Sequence, residues 1–272
     1  MKADPDTGTL TAPEPGVKKH TSWRTGGVLL TLAGLLAGSL AVMDLLLGST
    51  TTTSSAYGPS PSRLSLELDN VSVEIEPGPA GRIRARADLK WSIFRPEIQS
   101  ILEGDTLRIK MRCPIEIVQP CHASYRLSIP AQTPLSVKAG GGDVTVRDLT
   151  GKVDVDLAGG NVLLENLPGD LDVTNAGGDV WIADSQSESV VVRSTAGDTY
   201  LGFTEPPTNV DVRTTAGNLN IQVPMGAAYS VDAESVAGSR DVSVETTDPA
   251  PHRIFARNSA GDLAVRYQGG HY

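Results

Sequence analysis

Aromatic residues are scarce in this chain of 272 residues: 3 Phe, 3 Trp and 6 Tyr, or 4% of the whole. A compact core anchored on large rings is therefore excluded. Basic residues are also in deficit. The 23 Lys and Arg face 32 Asp and Glu, for a formal net charge of −9. That is the wrong sign for neutralising phosphates, so the composition points to no nucleic-acid partner. Histidine occurs only at His20, His122, His252 and His271, with no cluster among them. Long apolar runs are limited to one. What the chain does have is 28 Gly and 18 Pro, which implies frequent turns. Its length exceeds an average domain of ~100–200 residues, yet suits a single elongated β domain.

The apolar run is Gly26 to Gly48, GGVLLTLAGLLAGSLAVMDLLLG. It has the ~20 residues needed to cross a bilayer as a helix. Its single charge, Asp44, lies near the C-terminal end, where interfacial water is close. Lys18, Lys19 and Arg24 precede the run, and the first basic residue after it is Arg63. The positive-inside bias then places the N-terminus in the cytoplasm and everything after residue 48 outside. A cleaved signal peptide ending near Ser54-Ser55-Ala56 is the competing reading. The polar leader of 25 residues and an apolar core longer than the usual 7–15 favour an uncleaved signal anchor. The sequence thus divides into a disordered cytoplasmic tail (1–25), a transmembrane helix (26–48) and a flexible Ser/Thr/Pro linker (49–62).

Cys113 and Cys121, in RCPIEIVQPCH, are eight positions apart. In an oxidising extracytoplasmic space such a pair reads most simply as a disulfide closing a short loop. A zinc site would need more ligands than the adjacent His122 supplies, and a catalytic thiol has no recognisable partner.

From Pro130 onward an Ala-Gly pair recurs, with its glycines at Gly140, Gly159, Gly177, Gly197, Gly217, Gly238 and Gly261. The spacings of 19, 18, 20, 20, 21 and 23 residues mark a solenoid whose units bury their apolar faces only by stacking. Each unit carries two short runs of alternating character, such as Val153-Asp154-Val155-Asp156-Leu157 and Val190-Val191-Val192. Period-two alternation means strands with one buried face. The aliphatics read as core, and Asp154, Asp156, Asp170 and Asp172 as a solvated face. Glycine supplies the corner with positive φ, and the following Asp or Asn supports the turn through its own side-chain hydrogen bonds. The fold class is all-β: a solenoid of ~20-residue two-strand coils over residues 135–268. A β-rich cap over 63–134, carrying the cysteine loop, precedes it. Calcium is disfavoured because the nine-residue repeat of calcium rolls is absent. A polysaccharide-active site would need grouped carboxylates. Arg193 and Arg213, one coil apart and near Asp211, are the nearest approach to such a group.

These features together resemble the bacterial candidate-adhesin domain family, a domain of unknown function found behind a single N-terminal membrane helix. The resemblance rests on RCP to PCHASYRLSIP, on AGGGDVTVRDLTGKVDVDLAGGNV, on VPMGAAYSVDAESVAGSRDVSVE and on HRIFARNSAGDLAVRY, and spans Arg63 to Tyr267. It implies a β-solenoid ectodomain at the cell envelope and no catalytic residues. The expectation is a non-enzymatic, single-pass cell-membrane protein without cofactor or metal. Residues 26–48 would contact the lipid bilayer, and the solenoid would bind a wall polymer, a surface glycan or an envelope protein. A stress-response or signalling accessory acting through the cytoplasmic leader is the second reading, and a polysaccharide-active enzyme the third.

Overall fold

The computed structural model describes residues 49–58, 61–91, 96–112 and 122–269. The expected tail, membrane helix and cysteine loop, including Cys113 and Cys121, lie outside the described residues. All described residues belong to one compact unit, Gly48–Tyr272, built from β-strands.

Seven strands precede the repeats: β1 (Ser49–Tyr57), β2 (Arg63–Leu68), β3 (Val71–Pro77), β4 (Ile83–Trp91), β5 (Glu97–Glu103), β6 (Thr106–Arg112) and β7 (His122–Ile129). The repeats then supply two strands per coil: β8 (Leu135–Ala139) with β9 (Val144–Arg147), β10 (Val153–Leu157) with β11 (Val162–Glu165), and β12 (Leu171–Asn175) with β13 (Val180–Ser185). Next come β14 (Ser189–Ala196) with β15 (Thr199–Phe203) and β16 (Asn209–Ala216) with β17 (Leu219–Val223). The last four are β18 (Tyr229–Ala237), β19 (Arg240–Ser243), β20 (His252–Ala260) and β21 (Leu263–Tyr267).

The two strands of a coil join different sheets. The front sheet has eleven strands in the order β1-β4-β7-β3-β9-β11-β13-β15-β17-β21-β19. The back sheet has ten, in the order β18-β20-β16-β14-β12-β10-β8-β2-β6-β5. Pairing is parallel throughout the repeats; β1–β4, β4–β7 and β5–β6 are antiparallel. The core lies between the sheets, where Val144, Val146, Val153, Val155, Leu164, Val173, Val190, Val192, Val212 and Ile221 are at most 1% exposed. Aliphatics dominate this close-packed core, joined by the rings of Tyr125, Phe203 and Tyr229, which are at most 2% exposed.

The structure departs from the sequence reading in three respects. Coils do not stack in chain order at the ends: β20 and β21 insert between the coil of β16 and β17 and the coil of β18 and β19. Second, the region expected to cap the repeats is partly solenoid itself. β2 pairs with β8 on one side and β6 on the other, while β3 lies between β9 and β7. The same alternation that buries Val153 buries Leu64, Leu66, Val71 and Val73. Third, residues 49–57 of the expected flexible linker form a nine-residue strand, β1, along β4. Threonine is β-branched and favours extended backbone, and Thr52 Oγ1 donates to Asp88 Oδ1 at 2.7 Å.

Candidate functional site

The corners fix how the outer surface is presented. At Gly197, Gly217, Gly238 and Gly261 the backbone is left-handed, with φ between 115° and 151°. In the coils that read Ala-Gly-Gly this demand falls further along, on Gly142, Gly160 and Gly178, and Gly140, Gly159 and Gly177 do not share it. The cause lies in the neighbouring coil. A Cβ on Gly160 would stand 2.2 Å from the Gly142 carbonyl oxygen, and one on Gly197 the same distance from that of Gly178, whereas a Cβ on Gly159 would meet nothing. At these glycines one corner meets the backbone of the next.

The residue after each constrained glycine supports the next coil rather than its own turn, against the sequence expectation. The Asp143 side chain accepts from the Asn161 backbone N–H, Asn161 from Asp179, Asp179 from Asp198, Asp198 from Asn218, Asn218 from Asp262 and Asp262 from Ser239, at 2.7–3.1 Å. This ladder follows stack order, passing from 218 to 262 and back to 239. The backbone N–H of Ser239, and then its hydroxyl, hold the Asp262 carboxyl below its usual range. On the opposite edge, Asp148, Asn166 and Asp184 take left-handed φ near 50°. There Leu149 and Leu167 turn inward and close the core.

With the frame fixed, the outward residues fall into rows across the coils. On the back sheet, Lys138, Asp156, Thr174, Arg193, Arg213, Arg257 and Glu234 share one row. Arg193 and Arg213 are thus in register. Each faces an acid: Arg193 meets Asp172 at 3.4 Å, Arg213 meets Asp211 at 3.0 Å, and Arg257 meets Asp232 at 2.9 Å and Glu234 at 3.2 Å. Arg213 and Arg257 also lie over the Phe255 ring, at 5.0 and 4.1 Å. Exposed pairs of this kind stabilise by ~0–1 kcal/mol each, so the row is a mixed-charge surface.

The front sheet differs. One row runs Thr145, Leu163, Trp181, Tyr200, Asn220 and Ala264. Trp181 and Tyr200 stack with centroids 4.1 Å apart and planes 20° from parallel, and Trp181 remains 49% exposed. The Tyr200 hydroxyl donates to Gln222 Oε1 at 3.1 Å. Gly202 makes room for the tyrosine, since a Cβ there would come within 2.9 Å of its hydroxyl oxygen. The register between β13 and β15 shifts beside this pair, between Ile182 and Ser185. Sequence reasoning did not single out this pair. The available signal was a tryptophan and a tyrosine, in a chain poor in both, at outward positions of neighbouring coils.

Where β1, β4 and β7 meet, a groove of about 410 Å³ is lined by Ser54, Ser55, Arg84, Arg86, Arg126 and Glu76, among others. Charge is unevenly distributed along the chain. Residues 49–134 hold ten basic and nine acidic side chains, and residues 135–272 nine basic and nineteen acidic.

The sequence profile of the Toastrack DUF4097 family matches residues 62–201 and again 129–266. The chain belongs to the Toastrack family. Its two overlapping matches reflect the internal repetition of the Toastrack coils. No curated protein matches the chain in sequence. Among solved structures, a candidate cell adhesion protein from Clostridium sporogenes aligns at 10% identity, over 81% of this chain and 100% of its own, with a TM-score of 0.38. A candidate adhesin from Bacteroides fragilis aligns at 12% identity over 81% and 98% of the two chains, with a TM-score of 0.38. A candidate lipid-binding protein from Parabacteroides distasonis aligns at 12% over 80% and 97%, with a TM-score of 0.36. At these scores the likenesses carry no weight for what the Toastrack domain binds.

Proposed function

We propose that this protein is a non-enzymatic binding protein of the cell envelope. Residues 26–48 anchor it in the membrane with its N-terminus in the cytoplasm, and its Toastrack domain engages a wall polymer, a surface glycan or an envelope protein outside. The observation that carries this reading is the registration of outer side chains. Backbone-to-backbone corners and the Asx ladder hold each coil on the last, so equivalent side chains repeat across a stiff sheet at a spacing of ~4.8 Å. A surface ordered before binding loses little conformational freedom when a ligand docks.

The test is a pull-down of the detergent-solubilised full chain on isolated cell-wall material and surface polysaccharides, at low and physiological salt, beside an unfolded Val192→Asp control. Saturable retention of the folded chain alone is the expected result. Absence of retention, together with crosslinking in cells that captures no envelope partner, overturns the reading.

A further inference from the structure

We propose that the outer face of the front sheet holds a sugar-binding platform centred on Trp181 and Tyr200, and that its ligand is an uncharged polysaccharide. This rests on the binding reading above and names the face and the ligand chemistry.

The first argument is placement. Aliphatics and the buried rings of Tyr125, Phe203 and Tyr229 fill the core, and Trp181 lies outside it. Instead half of this large ring meets water, at a position where polar residues occupy most equivalent sites along the sheet. Stacked on Tyr200, the ring keeps an apolar face open to a ligand.

The second is preorganisation. Tyr200 is fixed by stacking on Trp181, by its hydrogen bond to Gln222 and by the space left at Gly202. A platform already in one arrangement gives up little freedom on binding. The C–H faces of a pyranose ring carry weak positive charge and pack against the negative face of an aromatic ring. Beside the platform, Gln222 spends its Oε1 on Tyr200. Its amide N–H groups have no protein partner among the described residues and can donate to sugar hydroxyls.

The third is charge. The domain is strongly acidic, yet Thr145, Leu163, Trp181, Ala183, Tyr200, Gly202, Asn220, Gln222 and Ala264 form an island without a charged side chain. Charges border the island on both sides: on one, Arg147 pairs with Glu165 at 2.5 Å and Arg266 with Asp241 at 2.8 Å, and on the other stand the exposed acids Asp179 and Asp198, two residues before Trp181 and Tyr200. A neutral island suits a neutral ligand. A polyanion would meet the net negative field of the repeats and the exposed Asp179 and Asp198 carboxylates, and a cationic ligand would find no acid within the island itself.

The full chain in detergent is titrated with neutral oligosaccharides, namely cello-, malto- and N-acetylchito-oligosaccharides, and tryptophan emission is followed. The expected result is a saturable change with at least one of them, little affected by salt. Trp181→Ala weakens that binding at least tenfold, Trp181→Phe retains part of it, and Asp172→Ala on the back sheet leaves it unchanged. Thermal unfolding is recorded for each variant, and Leu163→Lys, which adds a charge to the half-exposed rim, serves as a second disruption if Trp181→Ala fails to fold. Wild-type retention on wall material that survives both Trp181→Ala and Leu163→Lys overturns the platform and leaves the binding reading standing. Retention by neither wall material nor oligosaccharide overturns the platform, and overturns the binding reading as well when crosslinking in cells captures no envelope partner. Binding that disappears with salt and ignores Trp181 assigns the ligand to a charged class and overturns the proposal.

Discussion

From β10 to β15 each strand pairs with strands one coil before and one coil after it in the chain. In the C-terminal coils the same geometry is assembled out of order, with β20 and β21 seated against β16 and β17 and the earlier β18 and β19 displaced to the end. The middle coils bury their aliphatics almost completely. The end coil leaves Val231, Ala233 and Val242 only partly covered and Val236 76% exposed. The difference shows that a coil's inward pattern sets which face is buried, while its position in the stack sets how much that burial contributes. The middle coils carry the stability, and the end coil borrows it.

Four tests probe this contrast, from the largest effect to the smallest. Val192→Asp places an unpaired charge in the closed core and should cost several kcal/mol, enough to unfold a domain of ordinary stability. Val231→Asp, at the half-open end, should cost only ~1–2 kcal/mol. Thermal unfolding followed by circular dichroism compares the two, and equal losses would refute the contrast.

Gly217→Ala forces a side chain onto a left-handed backbone with its Cβ 2.1 Å from the Gly197 carbonyl oxygen. The conformation alone costs ~1–3 kcal/mol. Gly159→Ala, with open space and no positive φ, should stay within ~0.5 kcal/mol. If both behave alike in chemical denaturation, the corner assignment is wrong.

Acid should loosen the end coil. The Asp262 carboxyl sits below the ordinary aspartate value of 3.8 because it accepts from the Ser239 backbone N–H and hydroxyl. Its contribution is therefore present above about pH 4 and is lost as pH falls through its folded value. Hydrogen-exchange protection of the Ser239 amide should drop below pH 4, and Asp262→Asn, which keeps the acceptor oxygen, should remove that pH dependence. An unchanged titration in the variant would refute the link.

Asp172→Ala should be nearly silent, within ~0.5 kcal/mol, because it removes only an exposed pair with Arg193. A loss approaching that of Val192→Asp would reverse the face assignment.

The inward residues were legible because period-two alternation maps directly onto the two faces of a strand. Val190 and Val192, or Leu219 and Ile221, could hardly point elsewhere. Stack order was not legible. Neighbour choice in a parallel sheet is long-range, and β18 and β20 carry equally suitable patterns. Nor was the constrained glycine in an Ala-Gly-Gly corner: Gly159 and Gly160 differ only in which one faces the carbonyl of the coil below. The strand at 49–57 escaped notice because Ser and Thr show no apolar alternation, and its partner β4 lies more than twenty-five residues away. The Trp181–Tyr200 pair was overlooked because outward positions had been read as solvated. Stacking depends on register between coils, which one strand's pattern does not contain.

The inserted final coil also bears on the timing of assembly. A chain made from its N-terminus folds early segments first, yet the strands that join this stack, β20 and β21, are made after β18 and β19. Until they emerge, β16 and β17 present unpaired edges and β18 and β19 have no permanent neighbour. A protein cut short before His252 therefore lacks the joint between its middle and its end, and keeps an open edge that can recruit other chains. Synthesis of β20 and β21 is itself the step that joins the middle coils to the end coil.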